Sequence, residues 1–324
     1  MKTLLSLTLS FLLLVSCNDG SKNQRIVPSS SGRINNLQVV VDNLLWDDSV
    51  GEAIRDVFAA PVQALNQEEP LFSISQMPPQ VFTDFATKNR IILKIEKGAP
   101  KATTIKEDVY AKPQKVAVVS GETNEEIIEQ LKANGDKIIA AFKKEEIAER
   151  QRQIKLSLHD DSALEKKLGI TLQFPTAYRI AKEDNNFFWI RKDINTGTMD
   201  LMIYSVPLNT IKKGDSTIVD IIRMRDSIGK VHIPGPVEGS YMITEEAYSP
   251  YLFETTLDNK PTFETKGIWD VKNAFMSGPF INYAIEDKAH NRYLVIEGYV
   301  FAPSVEKRDH IFELEAIIKS IHIK

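Results

Sequence analysis

TFETKGIWDVKNAFMSGPFINYAIEDKAHNRYLVIEGYVF, residues 262–301, decides the fold class of this chain. It holds three strand-like runs, at 262–271, 279–286 and 293–301, rich in Ile, Val, Tyr, Phe and Trp. Gly278-Pro279 punctuates the first break, and a polar turn from Asp287 to Asn291 makes the second. Behind them comes an amphipathic helix whose Ile311, Leu314, Ile318 and Ile321 share a face. Ahead of them lie strand-like segments at 170–174, 187–191, 200–205, 240–244 and 251–256. Among these stand a short helix from Ser162, capped with Glu165 and closed by Gly169, and a helix over 216–228. Strands in a run with helices set to either side read as α+β, with mainly antiparallel sheets flanked by helices.

The first half has the same mixed character. Strands are expected at 37–41, 71–74, 90–95 and 110–119, the last interrupted by Pro113 and so placed at a sheet edge. Ser49 and Glu52 are spaced as a capping box before a helix carrying Val50, Ile54, Val57 and Phe58 on one face, and 79–85 reads as a short helix. Thr123 and Glu126 open a long helix with apolar positions running from Ile127 to Ile147. Gly135 would mark a kink or a break in it. Charges are dense over 143–155, as on a solvated helix face. The expected organisation is one α+β domain over 34–158, ending in the long helix, and a second over 159–324.

The N-terminus carries the strongest functional pattern. Lys2 precedes an apolar run, Leu4 to Val15, that ends in Leu14-Val-Ser-Cys17 before polar Asn18-Asp-Gly-Ser. The run is too short to span a bilayer, which takes about 20 residues, and it suits a signal peptide over 1–16 cleaved before a lipidated Cys17. Diacylglycerol plus an N-acyl chain such as palmitate would make the anchoring stable, since single chains hold only marginally. Residues 17–33 would then be a flexible tether. Asn18, where Asp would signal retention in the inner membrane, favours the outer membrane. Cys17 is the one cysteine of the 324 residues, so disulfides, thiolate metal sites and cysteine nucleophiles are excluded from the folded part. The net charge of −4 is spread evenly, with no basic stripe, so nucleic acid is not an expected partner.

No catalytic or cofactor motif stands out. Nucleophile elbows, phosphate loops and dinucleotide fingerprints are absent. His159-Asp160-Asp161 and Asp47-Asp48 each precede a helix, where acidic residues suit the helix dipole, and capping outweighs cation ligation at both. The pairs His310 with Glu313 and His290 with Asp287 lack the further ligands zinc would need, so no metal is expected. Trp189 and Trp269 lie within strands and read as core. Trp46 precedes a helix, flanked by Asp42 and Asp47. It packs against Ile54 or Phe58, or else stacks on a ligand, and is the one candidate ligand-binding residue.

Several segments resemble a known family when taken as a set. These are Phe188-Trp-Ile-Arg191, Met276-Ser-Gly-Pro-Phe280, Glu297-Gly-Tyr-Val-Phe-Ala-Pro303, Lys307-Arg308 and Leu314-Glu-Ala-Ile-Ile318, joined by the Trp46 region, Gln67-Glu-Glu-Pro70 and Asn89-Arg-Ile91. The chain is similar to domain-of-unknown-function family 4837, Bacteroidota envelope lipoproteins with no assigned activity, so the resemblance carries no site residues or cofactor. The order of elements from Ile170 onward looks like a PsbP-like α/β/α sandwich, which implies a fold and no function. The expectation is therefore a lipid-anchored envelope protein, first a non-enzymatic binding or assembly accessory with an envelope partner. A carrier of a lipid or other apolar ligand comes second, and a hydrolase working through paired carboxylates third.

Overall fold

The structure, a computed structural model, describes residues 27–324. The expected signal at 1–16, Cys17 and the first part of the tether lie outside the described residues. The N-terminal unit is built on β1 (Asn36–Val40), α1 (Asn43–Trp46), α2 (Ser49–Phe58), β2 (Ser73–Met77), β3 (Ile91–Lys97), β4 (Ala102–Glu107) and β5 (Lys115–Gly121). Its strands lie in the order β2-β1-β3-β5-β4. β1 pairs in parallel with β2 and β3, as β3 does with β5, and only β4–β5 is antiparallel. The mainly antiparallel expectation therefore fails in this half. The helical crossover through α1 and α2 carries the chain back to the end of the sheet where β1 began, so β2 must run parallel to it.

Local differences have local causes. The strand expected over 110–119 starts only at Lys115 and lies inside the sheet, because Pro113 falls in the preceding loop and β4 takes the edge. Residues 79–85 make two 3-10 turns, Pro79–Val81 and Asp84–Lys88. Asp48 and Asp161 occupy the N-caps expected for Ser49 and Ser162, and neither side chain closes a cap bond. Thr123 does act as a cap: its hydroxyl accepts from the Glu126 N–H at 3.3 Å, and the Glu126 carboxylate accepts from the Glu122 N–H at 2.8 Å. Residues 28–33, expected to be tether, run against this unit instead. Ser29 bridges Lys112, and the Ser31 N–H donates to the Lys88 carbonyl at 2.8 Å.

The helix opened by Thr123, α3 (Asn124–Ile154), runs unbroken for 31 residues, about 46 Å at 1.5 Å per residue. Gly135 does not break it. A Cβ there would lie 2.6 Å from Val57 Cγ1, so the glycine lets α2 approach. Ile127, Leu131, Ile138 and Phe142 join the first core, while Ile147 and Ile154 reach the second. One helix is thus shared by both units.

The C-terminal unit comprises α4 (Ser162–Leu168), β6 (Ile170–Thr171), β7 (Arg179–Glu183), β8 (Phe187–Ile194), β9 (Gly197–Pro207), α5 (Thr217–His232), β10 (Tyr241–Thr244), β11 (Tyr251–Leu257), β12 (Lys260–Lys272), β13 (Ala274–Asp287), β14 (Arg292–Phe301), α6 (Arg308–Ile318) and β15 (His322–Ile323). Its eight-stranded sheet has the order β10-β12-β13-β14-β9-β8-β7, with β11 also on β12, and every pairing is antiparallel. One face packs Leu201, Ile203, Ile281 and Ile296 under Leu314, Ile317 and Ile318 of α6. Each such side chain contributes roughly 1.5–3 kcal/mol of burial. The other face packs Tyr204, Phe263, Val295 and Phe280 under Ile221 and Met224 of α5. The expected α+β class, a sheet between helices with a helix near the C-terminus, is what the chain forms.

The units are joined by hydrogen bonds as well as by α3. The Glu69 carboxylate accepts from the backbone N–H groups of Lys307 and Arg308, both at 2.7 Å, at the N-terminus of α6. That is where a helix favours negative charge. The Arg308 guanidinium donates to the Pro70 carbonyl at 3.0 Å. Gln67-Glu-Glu-Pro70 and Lys307-Arg308 are therefore two sides of one joint.

Candidate ligand-binding cleft

Strand pairing assembles the site. Arg191 stands opposite Asp200, Asp200 opposite Tyr299, and Tyr299 opposite Phe280. Directly opposed residues project to the same side of a sheet, so this row lies on the face that α5 covers. α5 does not reach its end. The sheet also curls far enough that Met242 of β10, at one edge, and Trp189 of β8, near the other, line one cleft. Its volume is about 570 Å³, within the range of small-molecule pockets. Trp189, Trp269, Tyr299 and Phe301 supply aromatic walls, and Ile233 and Pro234, just past α5, make the rim.

Asp200 is the chemical centre. It is 1% exposed and lies on a central strand. The Trp189 indole N–H donates to its Oδ1 at 2.8 Å. Burial pushes the carboxyl up to about 6, while hydrogen bonds from Thr198 and Trp189 and the nearby Arg191 charge pull the other way. Among the described residues Asp200 has no ion-pair partner. Arg191 instead holds Asp193 at 3.2 Å, with its guanidinium 5.7 Å from the Trp189 ring centre. Tyr299 carries a buried hydroxyl with no hydrogen-bond partner, and burial together with Asp200 raises its pKa well above the ordinary value.

Trp269 closes the floor. Its indole N–H donates to the Val300 carbonyl at 3.2 Å, and its ring stands edge-on to Tyr299 at 5.7 Å. It lies opposite Gly278, where a Cβ would sit 2.0 Å from the Val300 oxygen and 2.9 Å from the Trp269 indole nitrogen. Only glycine fits there. Gly278 is thus more than the punctuation expected from sequence: it is the space the tryptophan needs.

Beneath α5 the same face holds a polar network. Arg225 donates from Nε to both oxygens of Glu297 at 2.9 and 3.0 Å and from Nη1 to Thr244 at 3.1 Å. Asn282 adds a bond to Glu297 at 2.9 Å, and the Arg225 guanidinium lies 4.0 Å from the centre of the Phe280 ring. Burial pushes the Glu297 carboxyl up, against the opposing pull of Arg225. This pair fixes α5 over the sheet and so sets where the cleft opens.

The residues singled out from sequence are not gathered here. Trp46 is half-buried in the N-terminal unit, packed on the cluster holding Ile54 and Phe58, with the Arg55 guanidinium 4.8 Å from its ring centre. Cys17 lies outside the described residues. Asp160 accepts from the Ser162 N–H at 3.0 Å, as a helix-start residue should, and Asp161 accepts from the Leu172 N–H at 2.9 Å. His290 pairs with Asp287 at 2.8 Å, and Glu313 accepts from Tyr178 and Lys192. Among the described residues no three His, Cys, Asp or Glu side chains group to hold a metal. No helix of the described residues is long and apolar enough to cross a membrane.

A second, more open groove of about 930 Å³ adjoins the cleft and shares Met276, Val271 and Phe301 with it. It runs from the β12–β13 turn, where Phe275 is fully exposed, to Asn66 and Gln67 of the N-terminal unit. Its one buried charge among the described residues is Lys307, whose ammonium donates to the Val305 carbonyl at 2.7 Å and makes no ion pair, while the buried carboxylate Asp200 belongs to the less open cleft.

A family model described as a domain of unknown function (DUF4837) matches residues 157–320, and another, also a domain of unknown function (DUF8532), matches residues 30–155. No curated protein matches the chain by sequence. Among solved structures, the Ran-binding protein Mog1p of Saccharomyces cerevisiae is 10% identical over 48% of this chain and 89% of its own, with a TM-score of 0.31. LpqN, described as involved in cell envelope biogenesis of Mycobacterium tuberculosis, is 12% identical over 47% of this chain and 81% of its own, at 0.28. A likeness at this level carries no function across.

Proposed function

Because the chain belongs to the DUF4837 family, whose function is unknown, we propose a role from its own geometry: a lipid-anchored envelope accessory that binds a small ligand in the sheet-end cleft without transforming it. The observation that carries the binding half is the cleft itself, an aromatic-walled space around one buried, unpaired carboxylate. The Leu14-Val-Ser-Cys17 pattern supports the envelope half. The outer membrane is the proposed site, with no metal or separate cofactor beyond the lipid on Cys17. The binding reading ranks ahead of hydrolysis because, among the described residues, the one other carboxylate lining the cleft, Asp193, is exposed and held by Arg191.

Fractionation followed by native mass spectrometry tests both halves at once. The wild-type protein is expected in detergent-soluble membranes with a discrete small-molecule adduct. Cys17→Ser should move almost entirely to the soluble fraction and keep its adduct. Thr198→Trp, which fills the cleft, should stay in membranes and lose it. A Cys17→Ser protein that stays in membranes would refute the anchor; an adduct that survives Thr198→Trp would refute the cleft.

A further inference from the structure

We propose that the cleft takes an organic cation, an ammonium or guanidinium head on an apolar body, with the head against Asp200 among Trp189, Trp269 and Tyr299. This rests on the binding role above and names its ligand class. Three observations converge on it. Asp200 is buried with a single side-chain N–H donor, from Trp189, and without an ion pair among the described residues. A buried carboxylate is costly unless something compensates it. The nearest positive group, Arg191, is engaged with Asp193, which Arg179 also holds at 3.3 Å, and lies over Trp189; neither guanidinium comes within ion-pair distance of Asp200. The walls around that charge are ring faces and edges, which attract cations when water is excluded.

An anionic ligand is disfavoured by the same arrangement. A neutral one could hydrogen-bond the carboxylate and the unpartnered Tyr299 hydroxyl but would leave the buried charge without a counter-charge. A head with several N–H donors serves the first, and the second can accept from it. The remaining volume takes an apolar body of about ten to fifteen heavy atoms against Phe301, Met276 and Ile233.

The charged and titratable groups around Asp200 are Arg191 and Asp193 of β8, with Arg179 of β7 on Asp193, Tyr299 of β14, the Glu297–Arg225 pair beyond Tyr299 and, from the other sheet face, Tyr178. The elements closing the cleft from the far side present Ile233, Pro234 and Met242, which do not titrate. Cation binding should therefore follow the ionisation of Asp200 and weaken as pH falls below about 6.

Calorimetric titration with phenethylammonium, phenethyl alcohol and phenylpropionate tests this, because the three share a body and differ in charge. At about pH 7.5 the ammonium should bind about ten-fold more tightly than the alcohol, and the carboxylate no more tightly than the alcohol. The ammonium advantage should vanish at about pH 5 in the unaltered protein, and in Asp200→Asn, whose folding is checked by circular dichroism. Equal binding of ammonium and alcohol, or an advantage that persists in Asp200→Asn, would overturn the cation proposal and leave a cleft for neutral ligands. Failure of all three to bind would overturn the cation proposal. If the same cleft also loses no adduct in Thr198→Trp, the binding role falls with it.

Discussion

Asp200→Asn is expected to stabilise the protein by about 3 kcal/mol at neutral pH. The carboxyl titrates near 6 in the fold against an ordinary 3.8, because burial penalises its charged form. A raised folded pKa means a stabilising contribution that is whole below pH 3.8 and lost as pH rises through 6. Above that window the wild type bears the full penalty, about 1.36 kcal/mol for each pH unit separating the folded and ordinary values. Asparagine never ionises, and it keeps an oxygen to accept from the Trp189 indole. The variant's advantage should therefore be largest above about pH 7 and close to nil at about pH 4. Urea unfolding at the two pH values measures it. A variant less stable at pH 7, or equally advantaged at both, would show that Asp200 is not a destabilised buried acid. Gain of stability on removing a buried charge is the mark of a residue kept for binding rather than for folding.

Arg225→Leu is expected to act in the opposite direction, at a cost of about 3–5 kcal/mol. It would leave Glu297, fully buried on β14, with only Asn282 to satisfy it. The lost interactions include the bond to Thr244 and the contact with Phe280, so α5 would lose its fastening to β13 and β14 and keep to β10 only the bonds from Thr244 to Asp226. The double variant Arg225→Leu with Glu297→Leu should recover most of the loss, because it removes the orphaned charge rather than creating one. Urea unfolding of the wild type and the two variants, followed through tryptophan fluorescence, decides. A single variant within about 1 kcal/mol of wild type would mean that the pair does not fasten α5.

The helices and the central strands are legible in the sequence because periodicity and capping are local. Thr123 with Glu126 locates the start of α3, and the runs at 293–301 and 251–256 match β14 and β11 to within a residue. β4 and β7 are not legible. Ala-Thr-Thr-Ile-Lys-Glu and Arg-Ile-Ala-Lys-Glu are exposed edge strands whose polar side chains carry almost no apolar signal. The parallel first sheet is hidden as well, since strand direction depends on where a crossover returns.

The cleft is hidden for a related reason. Its walls come from β8, β9, β10, β12, β13 and β14, and only the long-range register sets Arg191, Asp200, Tyr299 and Phe280 in one row. Trp189 and Trp269 read as core from their strand positions, and Trp269 does pack there, but its edge also forms the cleft floor. A usable signal is present in Glu297, a charge in the middle of Leu294-Val-Ile-Glu-Gly-Tyr-Val300, and in Asp200, heading Leu201-Met-Ile-Tyr204. Acidic residues at inward positions of apolar strands need either a partner or a purpose. Glu297 has the first, and the proposed ligand gives Asp200 the second. Segments that carry the family resemblance, Trp189 to Arg191, Met276 and Tyr299 to Phe301, also meet at this cleft.

The central claim is that the chain binds its ligand at the sheet end, and the three tryptophans make it directly testable. Their indole N–H resonances can be followed by ¹⁵N–¹H NMR while a small-molecule extract of the envelope, and then phenethylammonium, is added. Trp189 and Trp269 line the cleft, and Trp46 sits in the other unit as an internal control. The account predicts that the Trp189 and Trp269 signals shift together while Trp46 stays fixed. A shift of Trp46 alone, or no shift of the cleft pair at saturating ligand, would contradict it.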